Sequence, residues 1–108
     1  MFEKMIREQT AKQAEQLEAW LSKRESEQTF PDDVELIENI DYMGDGEKSH
    51  MLDIYSPKNT SGVLPVLINI HGGGFLLGRK EVNRLFCADM CRRGFVVACL
   101  EYPLVPSV

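Results

Sequence analysis

The stretch VLINIHGGGFLLGRK, Val66 to Lys80, decides how this chain is read. A nearly continuous apolar run from Val63 to Ile70 meets His71, three consecutive glycines, a phenylalanine, and a further glycine at Gly78. Such a run, short and bounded by turn residues, predicts a buried strand of a parallel sheet. Beyond the glycines, Val82, Leu85, Phe86 and Met90 recur at helical spacing. Arg92 and Arg93 fall where the negative end of the helix dipole would lie, and Gly94 supplies the C-terminal stop. Phe95 to Tyr102, FVVACLEY, predicts a second buried strand. Strand, glycine turn, helix and strand make a βαβ unit, for which a right-handed crossover is expected.

Upstream, Phe2 to Ser26 holds no glycine or proline and is rich in Glu, Gln, Lys, Ala and Leu, which favour helix. Met5, Ile6, Ala14, Leu17, Trp20 and Leu21 are expected to share one face, with Thr10 and Gln13 interrupting it. The polar face mixes both charge signs, so a helix packed on its own domain is preferred to one lying on a membrane. Phe30-Pro31-Asp32-Asp33 ends the helix. VELIENIDYMG and HMLDIYSP then predict a β-hairpin joined through Gly44 to Ser49. Within that connection GEKS lacks the Gly-Lys pair of a phosphate loop and is read as a turn.

With 108 residues the chain has the size of one domain. Its formal charge of −5 argues against nucleic acid as a partner. The acids are concentrated between Thr29 and Gly62, eight against two bases, whereas the glycine-bearing segment from Val63 onward has five bases against three acids. No stretch has the roughly 20 apolar residues of a membrane helix, and the opening residues lack the apolar core of a secretory signal. The cysteines, Cys87, Cys91 and Cys99, are odd in number, so free thiols in a reducing cytoplasm are expected. Cys87 and Cys91 at i and i+4 have no further Cys or His at zinc spacing; they are read as core, and no metal is expected.

Two chemistries place glycines between a buried strand and a helix. In dinucleotide binding, G-x-G-x-x-G is followed about 20 residues on by an acid that holds the ribose. Gly72, Gly74 and Glu101 fit that pattern, but the third glycine position is occupied by Leu77, with Gly78 one residue late. In acyl transfer, backbone N–H groups unobstructed by side chains form an oxyanion hole. His71-Gly72-Gly73-Gly74 matches the HGGG motif that serves this purpose in lipases and esterases.

At these residues the chain resembles the α/β-hydrolase family, in its hormone-sensitive-lipase-like and carboxylesterase branch, from Val34 to Val108. The hairpin, the segment PVLINIHGGGF, the helix and FVVACLEYPLVPSV follow the family order. Tyr102, Leu104 and Pro106 match its Y-R-L-A-P-E segment; Pro103 replaces the usual arginine and Ser107 the usual acid. The resemblance implies the N-terminal part of an α/β-hydrolase fold: a helix over residues 1–28 that can belong to a cap, then a partial α/β domain over 29–108 with an incomplete sheet. It also implies that the N–H groups of Gly73 and Gly74 donate to the oxyanion, that His71 braces the loop, and that Gly72 permits its tight path. As cap residues, Trp20 and Leu21 would line substrate, although ordinary packing is the preferred reading for both.

The family nucleophile lies in G-x-S-x-G, followed by an acid and a histidine. None of Ser22, Ser26, Ser49, Ser56, Ser61 and Ser107 has those glycine neighbours. His50 is expected to be a solvent-exposed strand residue. The chain is therefore expected to be the N-terminal segment of a serine carboxylic-ester hydrolase, inactive alone, with a small ester as substrate if complete and no cofactor. VLINI would be an unpaired edge, inviting self-association. The alternative is a non-catalytic module docking through that edge, and a dinucleotide-binding unit ranks third.

Overall fold

The computed structural model describes residues 1–73 and 78–104. Gly74, Pro106 and Ser107, which figure in the sequence reading, lie outside the described residues. Two compact units can be distinguished. One is built on Met1–Thr29 with the described glycine-loop residues and Pro103 and Leu104; the other is Phe30–His71 with Arg79–Tyr102.

In the first unit, helix α1 spans Phe2–Glu27. Its less exposed positions are Ile6, Thr10, Ala14, Leu17, Leu21 and Arg24, a stripe at three- and four-residue steps. Met5 and Trp20 were expected on this face but are 62% and 50% exposed. They point away because 3.6 residues per turn carries both off the line through Ile6 and Leu21, whereas Thr10 falls on it. Trp20 instead lies under the guanidinium of Arg24, 5.1 Å from its ring centre.

The second unit is a four-stranded mixed sheet: β1 (Val34–Asp41), β2 (Met51–Pro57), β3 (Val66–Ile70) and β4 (Val96–Leu100), in the order β1-β2-β4-β3. The β1–β2 hairpin is antiparallel, β2 also runs antiparallel to β4, and β3 is parallel to β4. Helix α2 (Arg84–Arg92) supplies the crossover after a short 3-10 turn at Lys80–Asn83. Its end is a two-bond cap in which Gly94 N–H donates to Cys91 O and Phe95 N–H to Met90 O, with Gly94 at φ 104°. This architecture is the expected helix, hairpin and βαβ unit.

The core gathers on one sheet face, where Tyr55, Val97 and Cys99 meet Cys87, Ala88 and Cys91 of α2. The helix turns its small residues to the sheet and leaves Phe86 49% exposed, so the expected stripe through Leu85 and Phe86 is displaced by one position. Small side chains let helix and sheet approach closely. The opposite face of β3 differs from the expected buried strand: Val66, Ile68 and Ile70 are 63–64% exposed. An edge position and one uncovered face account for this.

Candidate active site

His71 directly follows β3, at the carboxyl end of the strand, where open α/β sheets place their ligands. His71 is 2% exposed, held by two consecutive residues just past the end of β4. Nε2 lies 2.8 Å from Oε1 of Glu101. The Tyr102 hydroxyl donates to the His71 carbonyl at 2.7 Å, and the two rings stack with centres 4.3 Å apart and planes 14° from parallel. A single β-strand presents successive side chains to opposite sides; past Leu100 the chain leaves the sheet, which lets Glu101 and Tyr102 both reach His71.

Glu101 is itself fixed. Its N–H donates to Met51 O at 2.9 Å, and its carbonyl accepts from the Tyr42 hydroxyl at 2.8 Å. Burial, with the negative charges of Glu101 and Asp45, pushes the Tyr42 hydroxyl pKa up, so it stays a donor. The second carboxylate oxygen, Oε2, accepts from the Lys80 backbone N–H at 3.3 Å.

In the same unit, Lys80 is 4% and Asp53 2% exposed. Lys80 Nζ lies 3.1 Å and 3.2 Å from the two oxygens of Asp53 and 2.8 Å from Oε1 of Glu81. Asp53 Oδ1 also accepts from Asn39 N–H at 2.9 Å. Asn39 adopts φ 59° at the irregularity between Ile37 and Ile40, which turns that N–H inward. Cys99 Sγ donates to Lys80 O at 3.0 Å and accepts from Asn69 Nδ2 at 3.4 Å. The hydrogen bond between Cys87 and Cys99, together with burial, pushes the Cys87 pKa up, and all three cysteines are free and buried.

Among the described glycines of this segment, Gly73 stands at φ 137° and Gly78 at φ 103°, where glycine is favoured. Gly72 has no positive φ, and among the described residues a Cβ there meets nothing within 4 Å. His50 is not a free strand residue: it closes a 3-10 turn, and its Nδ1 lies 2.6 Å from Asp45 Oδ2. The GEKS segment sits in that turn, wound around Asp41, whose carboxylate accepts from the N–H groups of Met43, Gly44 and Gly46. Among the described residues, no group of three His, Cys, Asp or Glu side chains stands ready for a metal, and no helix is long and apolar enough to cross a membrane.

The sequence reading missed the roles of Lys80 and Glu101. Glu101 had been weighed only as a ribose acceptor, and its carboxylate is instead occupied by His71 and the Lys80 N–H. A signal was present: Glu101 continues the odd-numbered positions of Val97 and Cys99, both fully buried, and an acid in that register needs a donor. Nothing in the sequence marks Lys80 as buried.

The sheet order and the match to known esterases are those of the N-terminal part of an α/β-hydrolase of the carboxylesterase class. Residues 52–108 match the BD-FAE family, and the chain belongs to that family. It is 36% identical over 56 residues to the isoprenylcysteine alpha-carbonyl methylesterase of Arabidopsis thaliana, covering 52% of this chain and 13% of that protein. To the kynurenine formamidase of Salmo salar it is 35% identical over 70 residues, covering 64% and 23% respectively. In structure it superposes on esterase B of Lactobacillus rhamnosis, inhibited by a tributyrin phosphonate, with a TM-score of 0.90 and 26% identity. That superposition covers 98% of this chain and 35% of the esterase. The chain therefore spans about a third or less of the proteins it resembles.

Proposed function

We propose that this chain is the segment of a serine carboxylic-ester hydrolase that carries the oxyanion loop, and that it does not turn over ester by itself. The observation that carries this reading is the pinned His71 followed by Gly73 at a φ that frees its backbone from the usual side-chain restriction. Gly73 and Gly74 supply the N–H donors, each contributing on the order of 3 kcal/mol of transition-state stabilisation. The nucleophile, acid and base come from sequence outside these 108 residues, since no serine here stands in G-x-S-x-G. The substrate is a small carboxylic ester, helix α1 acts as part of a cap, and the three free cysteines suit a reducing cytoplasm.

The test is incubation of the purified chain with a short-chain aryl ester and, in parallel, with a fluorophosphonate that labels activated serines. Background hydrolysis and no labelling are expected. Turnover abolished by the serine reagent would overturn the claim of inactivity.

A second reading, docking through the outer strand, is favoured by one observation. β3 ends the sheet order and exposes Val66, Ile68 and Ile70 side by side. An apolar edge of this kind pairs readily with another chain, and self-association is its simplest outcome.

A further inference from the structure

In the sheet of the second unit, strand register builds two apolar rows that cross all four strands. Ile37, Ile54, Ala98 and Ile68 are cross-strand neighbours in one row. Ile40, Leu52, Leu100 and Ile70 form the next. Helix α2 packs on the opposite face, where Asp53 and Asn69 stand in register with Cys99. We infer that the apolar face is the surface on which two copies of this chain associate, sheet against sheet, in a weak dimer. The proposal rests on the self-association reading and deepens it, moving the contact from the edge of the outer strand to the whole face.

Cross-strand neighbours share a face because side chains alternate along each strand. β1 stays in step only through its irregularity: three positions lead from Ile37 to Ile40 where two lead from Ile54 to Leu52, so one extra residue returns Ile40 to the face of Ile37. Asn39 takes up that extra step at φ 59°, and Asp53 accepts its N–H from the α2 side. The outer members of the rows remain in water. Ile37 and Ile40 are 46% and 37% exposed, Ile68 and Ile70 63% and 64%. Four strands about 4.8 Å apart, with like-facing side chains about 7 Å apart along each, give the rows roughly 250 Å² in outline, to which side-chain relief adds. Patches of about 300–600 Å² are the largest a typical monomer shows and are often functional.

Composition and shape select a second copy as the occupant. Neither row holds a charge or a hydrogen-bonding side chain with which to choose a foreign partner. An apolar sheet face is complementary to itself, and two such faces pack about 10 Å apart. A two-fold axis then sets each patch on its own image. Size decides the strength: a pair hides on the order of 500 Å² in outline, well under the roughly 1,200 Å² at which stable interfaces begin, so the dimer is weak and reversible.

The full chain is followed by sedimentation velocity from about 10 μM to about 1 mM, a span suited to weak association, beside its Ile37→Lys and Phe86→Lys variants. Ile37 lies on β1, at the other end of its row from the β3 edge, and is exposed enough for a lysine to be carried by the folded sheet. Phe86, 49% exposed on α2, is an apolar site off the face. The parent mass should rise toward that of a dimer. Ile37→Lys should raise the dissociation constant about tenfold or more, because a charge would then be buried without a partner. Phe86→Lys should leave it unchanged. In the parent, methyl NMR signals of Leu52 and Ile54 should shift on dilution while those of Leu36, which pairs with Tyr55 on the α2 side, stay in place. Unmoved Leu52 and Ile54 methyls decide against the face even if Ile37→Lys does not fold. Association untouched by Ile37→Lys, or weakened equally by Phe86→Lys, would refute the face and leave self-association standing. A parent that is monomeric throughout would sink both and hand the face to another occupant.

Discussion

Lys80→Met removes an ammonium while keeping most of the aliphatic stem, so it isolates the charge in the buried cluster with Asp53 and Glu81. In the parent, Nζ neutralises Asp53, whose side chain is 3% exposed, through contacts of 3.1 Å and 3.2 Å. After the change Asp53 keeps the Asn39 N–H and has lost its cation, whereas Glu81 keeps Arg79 at 3.1 Å. Breaking a buried pair by deleting one partner costs about 3–5 kcal/mol. Domains of this kind have about 5–15 kcal/mol in all. With a urea slope of about 1–3 kcal/mol/M, the midpoint should fall by roughly 2 M, and a marginal parent would unfold. The double variant Asp53→Leu with Lys80→Met should recover much of the loss, since apolar replacement of both partners is often neutral. Urea titrations followed by circular dichroism, from pH 3 to 11, measure both.

The pH dependence has a definite sign at each end. Burial works to raise the Glu81 carboxyl, but hydrogen bonds from Lys80, its own backbone N–H and Arg79 hold it below the usual range. That stability is present above the unfolded value of about 4.3 and is lost as pH falls through the folded value. For Lys80, burial works to lower the pKa, while Glu81 and Asp53 raise it overall. That stability is full below about 10.4 and is lost as pH rises through the folded value. Lys80→Met should flatten the alkaline limb and weaken the acid one. A single variant within 1 kcal/mol of the parent, against the loss of about 3–5 set by the buried pair, would refute the reasoning. So would a double variant no better than the single.

Tyr102→Phe keeps the ring stack on His71 and deletes the 2.7 Å bond to its carbonyl. A loss of about 1–3 kcal/mol in chemical denaturation is expected; no loss would mean water serves the carbonyl equally well. Ile68→Lys places a charge in the exposed row of β3 and should lower the weight-average mass in sedimentation velocity, as edge lysines do in natural sheets. A parent that is already monomeric at all concentrations would contradict the self-association reading.

Much of the fold was legible because its signals are local. Phe2 to Ser26 has no helix breaker, Gly94 marks a helix end, and the apolar runs before and after the glycines have strand length. What escaped depends on partners distant in sequence. That α2 presents Cys87, Ala88 and Cys91 to the sheet is set by how closely the helix approaches, a tertiary choice that outweighs the apolar pair Leu85 and Phe86. The exposure of Ile68 follows from β3 being last in the sheet, an edge expected from the family order but not from any periodicity within VLINI. For the site, His71 and the glycines were visible as a motif. Lys80 and Asp53 were not, since their pairing joins positions separated by 27 residues.

The order β1-β2-β4-β3 also constrains the sequence of assembly. β3 precedes β4 in the chain yet, among the described residues, pairs with β4 alone, so it lacks that partner until the polypeptide has been made through Leu100. The very next residues are Glu101 and Tyr102. A nascent chain halted at Leu100 therefore carries His71 without the two side chains that hold its ring and its carbonyl.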